Sequence, residues 1–422
     1  MKSSNGVNNT CVSELESSFI RRSPSRGVSG QIQNLVHAMR RHLDMEVGFL
    51  SEFAGGQRKF LNVDCEPGKG PQPGAADLLE ETYCHKIATG KLAGIIPDTS
   101  AEPQTACMPV TKTLGIGCYL GVPIVLPGGH VFGTLCCYSG NPNTSLNDRD
   151  LSTLTAFAEI ATQLIEMSSF KERSKTEMLF RIRDVLENDL MAMHLQPIMD
   201  LGSDTVSSFE ALARFETAPQ QGPDKWFEDA QEVGADEELQ LHAIKKALEA
   251  LPALPQEVTL SINASPSVVL SPRFARLFTS APLDRVMLEL TEHAAIENYR
   301  HLHDALSSLR SAGLKVAVDD AGAGYSTFQH ILNLQADVIK LDRSLVTEID
   351  RNLARQALAS SLIFFSRQTG SRLIAEGVET KQELETLRHL GVEMAQGYLM
   401  GRPAPLQNAL ESHTGSPLAN AC

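Results

Sequence analysis

Between Gln31 and Leu43 the apolar residues Ile32, Leu35, Val36, Met39 and Leu43 recur three and four apart, which predicts a helix with one buried face. The run VGFLSEF from Val47 follows as a strand. A second helical stretch, ADLLEETYCHKIATG, ends at Gly90 and leads into AGIIPDTS. The clearest strand signal of this half is the pair GCYLGVPIVL (117–126) and HVFGTLCCY (130–138), separated by Pro127, Gly128 and Gly129 as in a hairpin. Ser145 followed by Asp148 has the form of a helix N-cap with an acid in the first turn. Leu151, Leu154, Ala158, Ala161, Leu164 and Ile165 then carry one helical stripe. After the polar stretch SSFKERSKTE the stripe resumes at Met178, Leu179, Ile182, Val185 and Leu186. This reads as a helical connector whose apolar side packs on its own domain or forms a dimer seam.

From Met193 the pattern changes. Short aliphatic runs alternate with helical ones, and each run ends in a polar side chain. SSFEALARF carries Glu210 and Arg214, VTLSINAS carries Asn263, VMLELTE carries Glu289 and Glu292, and LKVAVDD carries Asp319 and Asp320. ADVIKLD carries Lys340, SRLIAEGVE carries Glu376 and Glu379, and MAQGYL carries Gln396. Gaps of about 20 to 50 residues suit βα repeats that return every strand end to one face, so a closed (β/α) barrel is expected. A side-chain period of two places Ser261, Asn263 and Ser265 on one face of their strand, and Met287, Glu289 and Thr291 on one face of theirs.

Such a rim brings Glu210, Glu289, Asp319, Asp320 and Glu376 together with Lys340 as the one cation beside them. Like charges at that range cannot all ionise unaided. Divalent cations resolve the conflict, and an all-oxygen set of carboxylates with the Asn263 amide suits Mg²⁺ or Mn²⁺. Two such ions ~3.5–4 Å apart can activate water and stabilise a leaving oxygen in phosphodiester cleavage. Glu292 or Glu379 taken singly would cap a helix or anchor a loop.

The 422 residues allow two or three domains with their own cores, and a net charge of −14 argues against a binder of nucleic-acid polymers or anionic membranes. No run reaches the ~18 apolar residues of a membrane span, and the N-terminus lacks the apolar region of a secretory signal, so a cytoplasmic protein is expected. The eight cysteines show no CxxC spacing and are read as reduced thiols; Cys84 is read as a half-buried thiol on a helix, and Cys136 and Cys137 face opposite ways on a strand. Residues 1–27 and 411–422 are read as tails.

ETYCHKIATG, LGVPIVL, VFGTLCC and the closing helix with DRDLSTL resemble a GAF domain over 28–168, an α+β sensory sheet with flanking helices. A connector over 169–177 follows. From 178 to 410 the chain resembles the EAL family of cyclic di-GMP phosphodiesterases. The resemblance rests on Glu210-Ala211-Leu212 with Arg214, QPI at 196–198, ELTE at 289–292 and DDAGAGYST at 319–327. It continues through IKLD at 339–342, AEGVET at 375–380 and QGYLMGRP at 396–403.

The resemblance implies a TIM-like barrel that hydrolyses cyclic di-GMP to linear pGpG. Glu210, Asn263, Glu289 and Asp319 would hold a first cation; Asp319 and Asp320, helped by Glu376, would hold a second. Lys340 and Glu376 would orient and deprotonate water, and Gln196, Arg214 and Gln396 would contact the substrate's phosphate and guanine groups. Glu292 would tie down the loop from Ala321 to Tyr325, where Gly322 and Gly324 give mobility. Ala321 and Ala323 depart from the family's commonest loop, which puts dimer regulation rather than chemistry in question. A homodimer is expected, together with a GAF ligand, small molecule or protein, that the sequence does not identify. The alternative is a receptor that binds cyclic di-GMP without cutting it; such domains usually lose an acid or the lysine, and this chain retains all of them.

Overall fold

Alternation along the strands of the first half sorts its side chains into two buried layers, one on each face of a sheet. The computed structural model describes residues 27–66, 68–291, 298–321 and 327–414, and the chain divides into two units, Met1–Ser174 and Lys175–Cys422. In the first unit, β1 (Val47–Ala54), β2 (Gln57–Cys65), β3 (Ala76–Leu78), β4 (Ile95–Ile96), β5 (Cys118–Val125) and β6 (Val131–Ser139) form an antiparallel sheet in the order β3-β2-β1-β6-β5-β4. Leu50, Leu120, Val122, Leu135 and Cys137 face helix α1 (Val28–His42) and the first half of α3 (Asp148–Glu187). Phe49, Phe60, Tyr119, Cys136 and Tyr138 face the other way, against helix α2 (Tyr83–Ala88).

The structure corrects three local expectations. The stretch expected as a helix from Ala76 instead begins as strand β3, passes through a single 3-10 turn at Leu79–Glu81, and is helical only from Tyr83. Leu78 is exposed, so that stripe has no partner to bury against, and the Thr82 hydroxyl starts the helix late by accepting from the His85 N–H. Cys84 is fully buried rather than half-buried. The start of α3 is held by Asn147, not Ser145: Asn147 Oδ1 accepts from Arg149 N at 2.9 Å and Asn147 N donates to Asp150 at 3.0 Å, while Ser145 donates to Asn143. The polar stretch 169–177 lies within α3, which is continuous for 40 residues.

Among the described residues the second unit holds one sheet in the order β14-β13-β12-β11-β10-β9-β8-β7-β15, and β14 also pairs with β7, which closes a barrel. Its strands are β7 (Met191–Asp200), β8 (Thr205–Phe215), β9 (Thr259–Asn263), β10 (Val286–Thr291), β11 (Lys315–Ala321), β12 (Val338–Leu341), β13 (Arg372–Ala375), β14 (Met394–Gln396) and β15 (Ala404–Pro405). From β8 to β14 neighbours run parallel, with a helical segment between each pair, as the repeat pattern predicts. β7 departs from it, running antiparallel to both β8 and β14. The link from Asp200 to Thr205 is a tight turn in which Asp200 Oδ1 accepts from the N–H groups of Gly202 and Ser203, too short for a crossover helix.

Outward residues such as Phe209, Leu260, Leu288, Val316, Ile339 and Leu373 pack under the surrounding helices. Inward, Ile198, Met287, Ala317, Val338, Ile374 and Met394 meet as an apolar plug, the floor of the site. No helix among the described residues is long and apolar enough to cross a membrane.

Candidate active site at the barrel mouth

A step of two along a strand returns to the same face, so each residue of the plug has a partner directly above it. Met287 is followed by Glu289, Ala317 by Asp319, Val338 by Lys340, Ile374 by Glu376 and Met394 by Gln396. On β8 and β9 the buried serines Ser208 and Ser261 precede Glu210 and Asn263 in the same way. On the antiparallel β7 the direction reverses, and Gln196 stands two residues before Ile198, opposite Glu210.

Lys340 is the hub. Its Nζ lies 2.6 Å from Glu376 Oε1, 2.8 Å from Glu289 Oε2, 3.4 Å from Asp319 Oδ1 and 3.5 Å from Glu210 Oε2, with the side chain 1% exposed. Glu210 is further held by Asn263 Nδ2 at 3.0 Å and Gln396 Nε2 at 2.6 Å, and Gln396 Nε2 also donates to Gln196 Oε1 at 3.0 Å. Gln196 Nε2 in turn donates to the Gly401 carbonyl. Asp319, Asp320 and Glu376 each present an oxygen such that all three lie within 4.8 Å of one another. Asp320 takes a left-handed backbone (φ 57°), a conformation Asp tolerates better than most residues, and its N–H donates to Asp319 Oδ1.

One ammonium cannot neutralise this many acids. Burial acts to lower Lys340, but the surrounding Glu210, Glu289, Glu376 and Asp319 outweigh it and hold the ammonium well above its ordinary range. Burial pushes Glu376 up to about 8 against the pull of Lys340, and drives Glu289 well above the usual carboxylate range. Glu210 goes the other way. Burial would raise it, yet Lys340 and the amides of Gln396 and Asn263 outweigh that and lower it. Glu289 Oε1 is buried with no hydrogen-bond partner, as are Ser261 Oγ and Gln396 Oε1. An unpartnered buried carboxylate oxygen is costly, and a hard cation is the partner this donor set fits.

The structure thus gathers Gln196, Glu210, Asn263, Glu289, Asp319, Asp320, Lys340, Glu376 and Gln396 at one mouth. Arg214 stands apart from the lysine hub, donating to the Ala213 carbonyl and lining a cavity of about 520 Å³ with Asn263, Gln240, Phe227 and Asp224. Glu292, Gly322, Ala323, Gly324 and Tyr325 lie outside the described residues; Ala321 is fully buried. Sequence reasoning passed over Arg343, Tyr398 and Arg402: Arg343 pairs with Glu379 at 2.7 Å beside the lysine hub, and Arg402 stacks over the Tyr398 ring at 4.0 Å. The signal was available, since Arg343 directly follows IKLD and both others lie inside QGYLMGRP.

A model of the EAL domain matches residues 180–403, just over half of the chain. The chain belongs to the EAL family. A GAF-domain model matches residues 30–165 ahead of the EAL domain. The cyclic di-GMP phosphodiesterase NbdA of Pseudomonas aeruginosa is 31% identical over 242 residues, covering 54% of this chain and 31% of NbdA. The cyclic di-GMP phosphodiesterase PdeF of Escherichia coli is 26% identical over 314 residues, covering 72% of this chain and 41% of PdeF. The structure of the PaMucR phosphodiesterase in complex with cyclic di-GMP matches with a TM-score of 0.50 at 26% identity, over 55% of this chain and 99% of that one. The chain spans about a third of the length of the first curated relatives it matches.

Proposed function

We propose that the EAL domain hydrolyses cyclic di-GMP to linear pGpG using two divalent cations, Mg²⁺ or Mn²⁺, and that the GAF domain adjusts the rate. The observation that carries this reading is the hub itself: four carboxylates share one buried lysine, and Glu289 Oε1 is left without a partner. Glu210, Asn263, Glu289 and Asp319 would hold one cation, and Asp319, Asp320 and Glu376 the other. Bound there, the cations would polarise a phosphate oxygen and make water more acidic.

The chain's own groups do the rest. Glu376, raised to about 8, is poised near neutrality to take a proton from the attacking water, and Lys340 beside it fixes the orientation. The water oxygen bonds to phosphorus, the bond from phosphorus to the 3′ oxygen breaks, and that oxygen takes up a proton. Gln196 and Gln396 reach the phosphate from the barrel wall. Arg214, whose planar fork can give a phosphate two hydrogen bonds, lines with Asn263 a cavity large enough for a guanine. Just beyond Gln396 the exposed Tyr398, backed by Arg402, offers a face on which a base can stack.

Incubating the purified chain with cyclic di-GMP tests the reading. Linear pGpG is expected with Mg²⁺ or Mn²⁺, and none with chelator. Saturable binding without product under every cation would replace the enzyme with the receptor.

A further inference from the structure

The interior of the first unit holds a cluster that the reading of the barrel does not use. Arg58, on β2, is 1% exposed; its guanidinium lies 4.0 Å over the Phe60 ring and 5.7 Å from the Phe49 ring, and its Nε has no hydrogen-bond partner. Two groups accept from it. One is Asp77, on the exposed edge strand β3; the other is the Cys84 sulfur, 3.5 Å from Nη1. Cys84 Sγ is also 3.3 Å from the Tyr119 hydroxyl and 3.9 Å from the sulfur of Cys136 on β6, and both cysteines are fully buried. Gly121 stands opposite Cys136 in the β5–β6 register, and a Cβ there would press on the Tyr119 ring and the Cys136 sulfur. The glycine makes room for the pair.

Burial acts to raise the Cys84 thiol, but the Cys136 S–H, the Arg58 guanidinium and the hydroxyls of Thr134 and Tyr119 outweigh it and hold it well below the ordinary thiol range. Cys136 is driven the opposite way, by burial first and by Cys84 second. One sulfur is therefore shifted toward the anion and its neighbour away from it, the division of labour that an attacking and a resolving thiol require. Cys137, next in sequence, faces the other layer with Cys118, and burial pushes it up.

We propose that Cys84 and Cys136 form a peroxide-reactive dithiol inside the first unit, with Cys84 as the attacking sulfur and Cys136 as the resolving one. In the first step the Cys84 sulfur bonds to one oxygen of hydrogen peroxide, the O–O bond breaks, and the departing hydroxide takes a proton to leave as water. In the second, the Cys136 sulfur attacks the Cys84 sulfenic acid, an S–S bond forms, the S–O bond breaks, and the hydroxyl leaves as water with the Cys136 proton. Two thiols and one peroxide give one disulfide and two waters. The sulfurs must close from 3.9 Å to about 2.05 Å. Closure takes the anionic partner away from Arg58 and leaves the buried guanidinium to Asp77 on β3, so the edge of the sheet feels the oxidation. Burial selects the oxidant: a molecule of peroxide's size enters by local opening, whereas bulky alkylating agents do not.

The proposal is independent of the barrel's activity, and its test reads thiols. The full chain is treated with graded peroxide, quenched with catalase, alkylated under denaturing conditions, digested with trypsin and analysed by mass spectrometry. The peptide Gly70–Lys86 is expected linked to Thr113–Arg149, with fragmentation placing the bond on Cys136 rather than Cys118 or Cys137. Arg58→Met is expected to slow the linkage at least about tenfold. Should that variant fail to fold, Cys136→Ser is read instead: a dimedone adduct on Cys84 is expected, because the sulfenic acid has no resolving partner. Full alkylation of Cys84 and Cys136 after peroxide, linkage through another cysteine, equal rates in folded Arg58→Met, or no adduct in Cys136→Ser would each overturn the proposal.

Discussion

Replacing Lys340 by Met removes the one ammonium that four carboxylates share while keeping the volume and most of the aliphatic stem. Breaking a buried ion pair by deleting one partner typically costs 3–5 kcal/mol, roughly, because the other charge is left uncompensated. Here the loss falls at the low end, about 3 kcal/mol in chelator, since burial already pushes Glu376 and Glu289 upward and either can take up a proton to absorb part of the change. Divalent cations held by the same oxygens would replace the missing charge, so saturating Mg²⁺ should shrink the difference from wild type to about 1 kcal/mol. The chain offers a selective probe. Its one tryptophan, Trp226, is buried in the second unit against Phe215, so its fluorescence in urea follows that unit. Midpoints for wild type and Lys340→Met, each with chelator and with Mg²⁺, give the four numbers required. An equal loss in both conditions would mean that cation and lysine do not share these carboxylates, and the two-cation reading would fail with it.

Glu289→Gln keeps the shape of a fully buried side chain and removes one surplus charge; stability in chelator should stay within about 1 kcal/mol of wild type, while pGpG production measured by chromatography falls at least ~100-fold. Glu383 accepts the N–H groups of Glu348, Glu379 and Thr380 at 2.9 to 3.0 Å; burial opposes its ionisation, but these donors outweigh it and lower its pKa. Because the folded value lies below the unfolded value of ~4.3, this stabilisation is present above that pH and is lost as pH falls through the folded value. Glu383→Gln should therefore cost about 1–2 kcal/mol at pH 7, with the gap closing below about pH 4 in urea titrations; a gap constant down to pH 3 would remove the assignment. Gly397→Ala would set a Cβ against the backbone of Val378, between Gln396 and Tyr398, and should lower the stability read from Trp226 fluorescence by about 3 kcal/mol or more and abolish turnover.

The mouth of the barrel was legible because its signal is redundant. Seven separate strands each end in a polar residue two positions beyond an inward-facing one, and a period of two leaves little freedom about where that residue points. The first strand was harder to read. Nothing in QPIMDLGSDTVSSFEAL distinguishes a hairpin from a crossover except the brevity of the link, so the antiparallel entry of β7 was not foreseen. In the first unit, β2 alternates too weakly to announce itself beside VGFLSEF, and Ala76 to Leu78 carries a helical stripe that tertiary pairing with β2 overrides. Ser145 and Asn147 are both good capping residues three or fewer positions from Asp148, and only the geometry separates them. The Arg58–Cys84–Cys136 cluster left no local signal, since its members come from three elements and meet only when the sheet forms.

The two layers inside the barrel are one electrostatic device. Below the carboxylates lie Ile198, Met287, Ala317, Val338, Ile374 and Met394, a floor that is apolar except for the buried hydroxyls of Ser208 and Ser261. Burial opposes the ionisation of Glu210, Glu289 and Glu376 alike. The same low-polarity floor strengthens every attraction above it, to an incoming cation as to Lys340. A floor of polar residues would relieve the crowding of the carboxylates and weaken their hold on a cation by the same stroke. The crowding of the acids is thus the electrostatic counterpart of an affinity for divalent ions, and both follow from placing a charged layer one pleat above an oily one.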